Sequence, residues 1–379
     1  MDNKPQILII TGEVSGDLHA AKLVRDVHKL YPNIEFSGMG GENMRQAGVN
    51  TIVDTTDLAV MGLFDVLTHL PKIYSAKKII CNTIANNPPN LLILIDYSGF
   101  NLRLAKIAKQ NGIKILYYIS PQLWASRQRR IKKIRKYVDK VAVIFPFEVD
   151  FYKRFNIPVC FVGHPLFDIA HASMSIDEAK QEFVLDPQYK TIGLFPGSRK
   201  GEIKRLLPVM LKSAQLLKQQ FPNTQFILAL ACSLTKDDLN PYLKKFDLEI
   251  KIVANQNYDV MRVCDAIIAV SGTVTLEIAL MEIPMLIIYK ISPPYFPIKL
   301  IIKIPYIGLC NIIAGKQIVK ELLQQHANPK TISTEITRIL TDDNYRNTMI
   351  TELKKIKEKL TTEKTENLAQ LVVNMSSEY

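Results

Sequence analysis

Short, nearly unbroken apolar runs mark the chain at residues 7–10, 91–95, 114–118 and 141–145, each rich in β-branched or aromatic side chains. A strand without polar alternation is buried on both faces, as in a parallel sheet covered by helices. Between the runs the apolar spacing is helical. After 7–10 comes a turn holding Gly12 and Gly16, then Ala20, Leu23, Val27 and Leu30 along one predicted helix face. The rhythm restarts near residue 191. Strands are predicted at 191–195, 225–231, 250–254, 266–270 and 285–289, with Ile203, Leu206, Met210 and Leu217 as the stripe of an intervening helix. From 329 to 379 the pattern is helical and charged.

Two successive doubly wound, Rossmann-like α/β halves follow from this rhythm, and 379 residues is long for a single core. The predicted domains are 1–164 and 165–328, joined at Gly163-His164-Pro165-Leu166, with helices over 329–379 packing back on the first. Such halves place a cleft between the carboxyl ends of two sheets, where ligands bind at the loops after strands. Those loops are where chemistry is to be sought.

Composition narrows the class. With 47% hydrophobic and 22% charged residues the chain is globular rather than disordered. Cys81, Cys160, Cys232, Cys264 and Cys310 are scattered and never form C-x-x-C, which argues against a disulfide framework or zinc site and fits a reducing cytosol. No apolar run approaches the ~20 residues of a spanning helix, and 7–10 is too short for a signal-peptide core. The expectation is a soluble protein, or one attached to a surface. The net charge of +12 includes the run RQRRIKKIRKYVDK at 127–140. It is either a solvated helix face or a contact for anionic lipid or a phosphorylated substrate; nucleic acid ranks last, because no recognised module accompanies it.

Five loops carry candidate groups. Gly12-Glu13-Val14-Ser15-Gly16-Asp17 lacks the G-x-G-x-x-G spacing of a dinucleotide fingerprint, and its two carboxylates would repel a pyrophosphate. Asp17 reads as a first-turn helix acid, whereas Glu13 stands exposed in the turn. Asp96, directly after 91–95, is either a general base with a pKa raised by desolvation or a helix cap. Trp124, the sole tryptophan, is core packing or a rigid aromatic wall beside the cationic edge of Arg127. In Pro196-Gly197-Ser198-Arg199 the glycine permits close backbone approach, the serine can cap and donate, and the arginine can grip a phosphate. Ser271-Gly272-Thr273 opens a helix whose free amides suit a diphosphate, with Glu277 one turn on and able to accept from ribose hydroxyls. No D-x-D stands at a strand end, so no metal is expected; Arg199 and backbone dipoles would then neutralise the leaving diphosphate, as in a metal-independent GT-B glycosyltransferase. No cofactor is expected.

Taken in order, GEVSGD (12–17), LAVMG (58–62), IDYSGFN (95–101), YYISPQLWASR (117–127), FPFE (145–148), FVGHPL (161–166), PGSR (196–199), SGTVTLE (271–277) and NIIAG (311–315) resemble the lipid-A-disaccharide synthase family of Gram-negative bacteria. The ordered set is specific and spans most of the chain. The resemblance implies a GT-B fold and an inverting transfer. Its donor is UDP-2,3-diacylglucosamine, and its acceptor is the 6-hydroxyl of 2,3-diacylglucosamine 1-phosphate. Asp96 matches the family's base, with Glu13 a second acidic candidate. Arg199 and Asn311 match donor-handling positions, and Glu277 the ribose-side acid. Ser15, Trp124 and Arg127 fall on the acceptor side. Two departures stand out: Tyr117 occupies a position where histidine is expected, and Ser126 one where an aromatic is expected.

Acylated substrates imply a peripheral protein on the cytoplasmic face of the inner membrane. Segment 58–70, either a buried core helix or a lipid-facing one, and segment 292–309 offer apolar contact there, and the basic run offers charge. A homo-oligomer is compatible with the sequence. Competing possibilities are a sugar 2-epimerase or soluble glycosyltransferase of the same fold, a dinucleotide-dependent oxidoreductase, and a nucleic-acid-binding protein.

Overall fold

The computed structural model describes residues 4–55, 66–291, 305–362 and 364–377. The LAVMG motif and most of the two apolar segments, 58–70 and 292–309, lie outside these residues. Two compact units emerge, one comprising the described residues through Pro165 and from 364 onward, the other Leu166–Thr362.

The first unit holds seven parallel strands: β1 (Gln6–Ile10), β2 (Glu35–Gly40), β3 (Asn50–Asp54), β4 (Leu91–Ile95), β5 (Lys114–Tyr118), β6 (Lys140–Val143) and β7 (Val159–Phe161), in the order 3-2-1-4-5-6-7. The second holds six: β8 (Lys190–Phe195), β9 (Thr224–Leu230), β10 (Ile250–Ala254), β11 (Ala266–Val270), β12 (Met285–Tyr289) and β13 (Glu321–Leu323), in the order 10-9-8-11-12-13. Both sheets therefore reverse direction of winding at the same place, between β1 and β4 and between β8 and β11. Loops diverge there to opposite faces and leave an opening at the carboxyl end of the sheet. The loops after β1, β4, β8 and β11 are those carrying Glu13, Asp96, Arg199 and Thr273.

Central strands β4 and β11 are buried at every residue, as their unbroken apolar runs require. Ala20, Leu23 and Val27 face the core from the helix Val14–Leu30, but Leu30 is exposed at its last position. Ile203, Leu206, Met210 and Leu217 are all buried from Lys200–Gln220.

The terminal stretch divides. Helices Pro329–Thr341 and Asp343–Thr362 belong to the second unit, where Ile332, Ile336, Ile339 and Leu353 complete its core. Packing back on the first unit, expected of all of 329–379, is confined to Leu368–Ser377, whose Leu371, Val372 and Val373 join that core. The return is stapled on at β7 and β6: the Phe161 amide donates to Thr365 Oγ1 at 2.9 Å, and Lys140 pairs with Glu366 at 2.6 Å.

Candidate active site

In the first unit, Asp96 and Tyr97 follow β4 with left-handed φ angles of 46° and 36°. That conformation costs a non-glycine residue roughly 1–2 kcal/mol, so surrounding contacts must impose it. Three hydrogen bonds do. The Tyr117 hydroxyl donates to the Asp96 carbonyl at 2.7 Å, and Asn101 Nδ2 donates to the same oxygen at 2.9 Å. The Asp96 amide donates to the Ile119 carbonyl at 3.2 Å. Asn101 Nδ2 also reaches the Ile95 carbonyl at 3.0 Å. Neither Asn101 nor Tyr117 exposes any surface.

The N-cap of the next helix, Ser98–Gln110, is Tyr97, so Asp96 does not serve as its cap. Burial, then the charge of Glu13, push the Asp96 carboxyl up to about 6, against a smaller opposing pull from the Tyr97 amide. Glu13 is exposed at the N-cap of Val14–Leu30 and makes no side-chain capping bond. Asp17 has a structural task, as a cap for a different helix. Its carboxylate accepts from the amides of Gly41 at 2.6 Å and Asn43 at 3.0 Å, at the start of Glu42–Gln46.

Trp124 is half-buried and fixed. Its Nε1–H donates to Glu148 Oε1 at 3.1 Å, and its ring meets Phe147 edge-on with centroids 5.0 Å apart. Phe147 stacks on Phe145, which lies 5.0 Å from His164. Glu148 also accepts the Phe145 amide at 3.2 Å, and burial pushes its carboxyl up to about 8. Burial first, and then the nearby His19, press His164 down to about 3. Ser15 is exposed in the first turn of Val14–Leu30, and Arg127 is exposed with φ 53°. Arg130 donates to the Ser98 hydroxyl, tying the basic run to the Asp96 loop.

In the second unit the turns after β8 and β11 line one cavity of about 300 Å³. Gly197, Ser198 and Arg199 face Ser271, Gly272 and Thr273 across it, and Glu277 lies on its wall. Gly197 has φ 102°, and a Cβ there would stand 2.5 Å from Glu202 Oε2. The Ser271 hydroxyl donates to the Ile307 carbonyl at 2.8 Å and Thr275 Oγ1 to the Gly272 carbonyl at 2.8 Å. Among the described residues the Gly272 and Thr273 amides have no hydrogen-bond partner, which leaves them as donors for an anion. Glu277 accepts from the Tyr258 hydroxyl at 3.3 Å; burial pushes its carboxyl up and Tyr258 pulls it partly back.

A model of the lipid-A-disaccharide synthetase family matches residues 7–375. The chain belongs to that family. It is 50% identical over 372 residues to the lipid-A-disaccharide synthase of Geobacter sulfurreducens, covering 98% of this chain and 97% of the relative. To that of Nitrosococcus oceani it is 48% identical over 377 residues, covering 99% and 97%. Among solved structures it resembles UDP-GlcNAc 2-epimerase from Neisseria meningitidis bound to UDP-GlcNAc, with TM-score 0.63, 11% identity and coverage of 98% and 99%. A glycosyltransferase from Rickettsia africae gives TM-score 0.59, 15% identity and coverage of 99% and 98%. At such identities the likeness is one of fold, the GT-B arrangement of two parallel-sheet domains.

One donor-side residue inferred from the family resemblance stands apart. Asn311 does not line the cavity. It is wholly buried in Leu309–Ala314, with Nδ2 donating to the Val319 carbonyl and Glu321 Oε1, each at 2.7 Å, and Oδ1 accepting the Ile318 and Val319 amides at 2.9 Å. All its bonding capacity is spent inside the chain. Glu321 in turn accepts the Ile307 and Gly308 amides at 2.9 Å, and Ile307 is the partner of Ser271. Asn311 thus supports the Ser271 turn from behind. The sequence assigns no role to Glu202, nor to Asn101 and Glu148 within the motifs that hold them, since polar residues within helical stretches look like solvated surface.

Proposed function

We propose that this chain transfers 2,3-diacylglucosamine from its UDP conjugate to the 6-hydroxyl of 2,3-diacylglucosamine 1-phosphate, with inversion. The products are the β-1,6 disaccharide 1-phosphate and UDP. The observation behind this is the second unit's cavity, where the β8 and β11 turns bring a guanidinium, unpaired amides and a ribose-side acid together. Family membership supplies the substrate class. Arg199 and the Gly272 and Thr273 amides take up the charge that develops on the departing diphosphate, so no metal ion is required. Glu277 accepts from the ribose hydroxyls.

In the first unit Asp96 receives the proton of the attacking hydroxyl. A carboxyl held at about 6 is ionised at neutral pH yet more basic than an ordinary aspartate. As the O6–C1 bond forms and the C1–phosphate oxygen bond breaks, the electron pair leaves with UDP and the proton goes to Asp96. Glu13 tunes that acid, and Ser15, Trp124 and Arg127 bound the acceptor's place. The exposed cations of 127–136 attach the protein to the anionic cytoplasmic face of the inner membrane.

The test is direct. Purified protein given both acylated precursors in excess EDTA yields disaccharide 1-phosphate. Folded protein that makes none overturns the proposal.

A further inference from the structure

The second unit's cavity poses a charge problem. A nucleoside diphosphate brings at least two negative charges, yet the described lining includes two carboxylates, Glu202 and Glu277, and one cation, Arg199. Lys200, next along the chain, is occupied by Asp238 at 2.8 Å. Glu277 is suited to ribose hydroxyls, but Glu202 lies with the anion-binding groups themselves. It is 6% exposed, while the Arg199 side chain is 80% exposed. One Glu202 oxygen accepts from Arg199 Nη1 at 3.2 Å and the other from the Ser198 amide at 3.3 Å. The second oxygen fills the space next to Gly197, where any side chain would displace it.

We propose that Glu202 is an internal stand-in for the donor's diphosphate: it holds the Ser198 amide and Arg199 in the empty site, yields them on binding and reclaims them as UDP leaves. The proposal rests on this cavity being the diphosphate site. Holding both donors on a carboxylate keeps them oriented without a ligand. Once displaced, the carboxylate remains beside the diphosphate, and in a half-buried site that repulsion weakens the UDP complex. Glu202 therefore lowers product affinity.

A helix cap would also place glutamate here, since Glu202 is the third residue of Lys200–Gln220. Capping needs an acceptor oxygen, not a charge, and this separates the two roles. Glu202→Gln keeps the oxygen and removes the charge. Calorimetric titration with UDP should show tightening of at least about tenfold, about 1.4 kcal/mol, with uridine affinity unchanged. Glu202→Ala should also tighten UDP, with a lower Tm from the lost cap, and it decides the matter if the glutamine variant does not fold. Equal or weaker UDP binding by the variants, or a parallel rise for uridine, overturns the stand-in role while the cavity assignment survives. Failure of the unmodified protein to bind UDP overturns the cavity assignment itself.

Discussion

The Tyr97 ring occupies the space that a side chain at Gly12 would need: a Cβ there would lie 2.4 Å from Tyr97 Cγ and Cδ1. Glycine at 12 thus lets the loop after β1 close against the loop after β4, and this brings the Glu13 charge to bear on Asp96. Gly12→Ala should push Tyr97 away and disturb the strained Asp96 peptide. Overpacking of this kind costs about 1–3 kcal/mol of stability. Turnover should fall by more than the folded fraction does, while UDP affinity, proposed above for the second unit's cavity, should hold. Denaturant melts beside kcat and UDP titrations test this, and a loss of UDP binding would refute it.

Asp96, as the proposed base, predicts an acid limb. As a base it must be ionised, so kcat/KM should rise with pH through about 6. Glu13→Gln removes a like charge, lowers the Asp96 pKa and moves the limb toward acid pH. Asp96→Asn should depress turnover by at least about a hundredfold, the scale of general-base catalysis, with UDP affinity retained. The stability sign is opposite to that of a salt-bridged aspartate: the contribution is complete below about 4 and is lost as pH rises through about 6. A limb that stays in place in Glu13→Gln would remove Glu13 from the account.

The chemistry legible in the sequence was that placed directly at strand ends. Asp96, Gly197 and Ser271 each follow an apolar run, and parallel topology sends such residues to one edge of the sheet. Groups that support those loops from behind were not legible. Asn101 and Glu202 lie within helical stretches, and only the folded chain turns them back toward their loops. Strand β2 was missed because Gly38 interrupts its pattern, yet a Cβ there would lie 2.0 Å from the Ile9 carbonyl oxygen across the sheet. Strands β7 and β13, three residues each, are too short to show a period.

Glu148 gives the sole tryptophan a titration. Its buried carboxyl is protonated below about 8, and it accepts the Trp124 Nε1–H in the structure. Trp124 emission should therefore change with a midpoint near 8, and Glu148→Gln should abolish that step. Because the folded-state value lies above the ordinary 4.5, the stability contribution is complete below 4.5 and lost as pH rises through about 8. Urea midpoints should decline in the native protein as pH rises through about 8, and that decline should be absent in the variant, which keeps only the earlier loss through about 6 from Asp96. An unchanged emission titration in Glu148→Gln would assign the step elsewhere.

Asn311→Ala distinguishes support from contact. The substitution strands the Ile318 and Val319 amides and the Val319 carbonyl, and each buried unsatisfied group costs about 1–3 kcal/mol. Tm should drop steeply, with a smaller loss of UDP affinity through the Ser271 turn. A variant of native stability that no longer binds UDP would instead make Asn311 a direct donor ligand.

Residues 97–138 contain eleven lysines and arginines and no aspartate or glutamate. In the short helix Ile131–Tyr137, Ile131 and Ile134 face inward while Lys132, Lys133, Arg135 and Lys136 stand exposed. That helix is anchored on its apolar side, so its cations are free to face an anionic surface. Each contributes about 1 kcal/mol near such a surface and fades within a Debye length. Reversing Lys132, Lys133 and Lys136 to glutamate should reduce partitioning onto anionic vesicles by at least about a hundredfold, while turnover of detergent-dispersed substrates stays unchanged. Neutral vesicles should bind neither protein by this route, and added salt should release the native one. Undiminished binding of the reversed variant to anionic vesicles would move the attachment away from this helix.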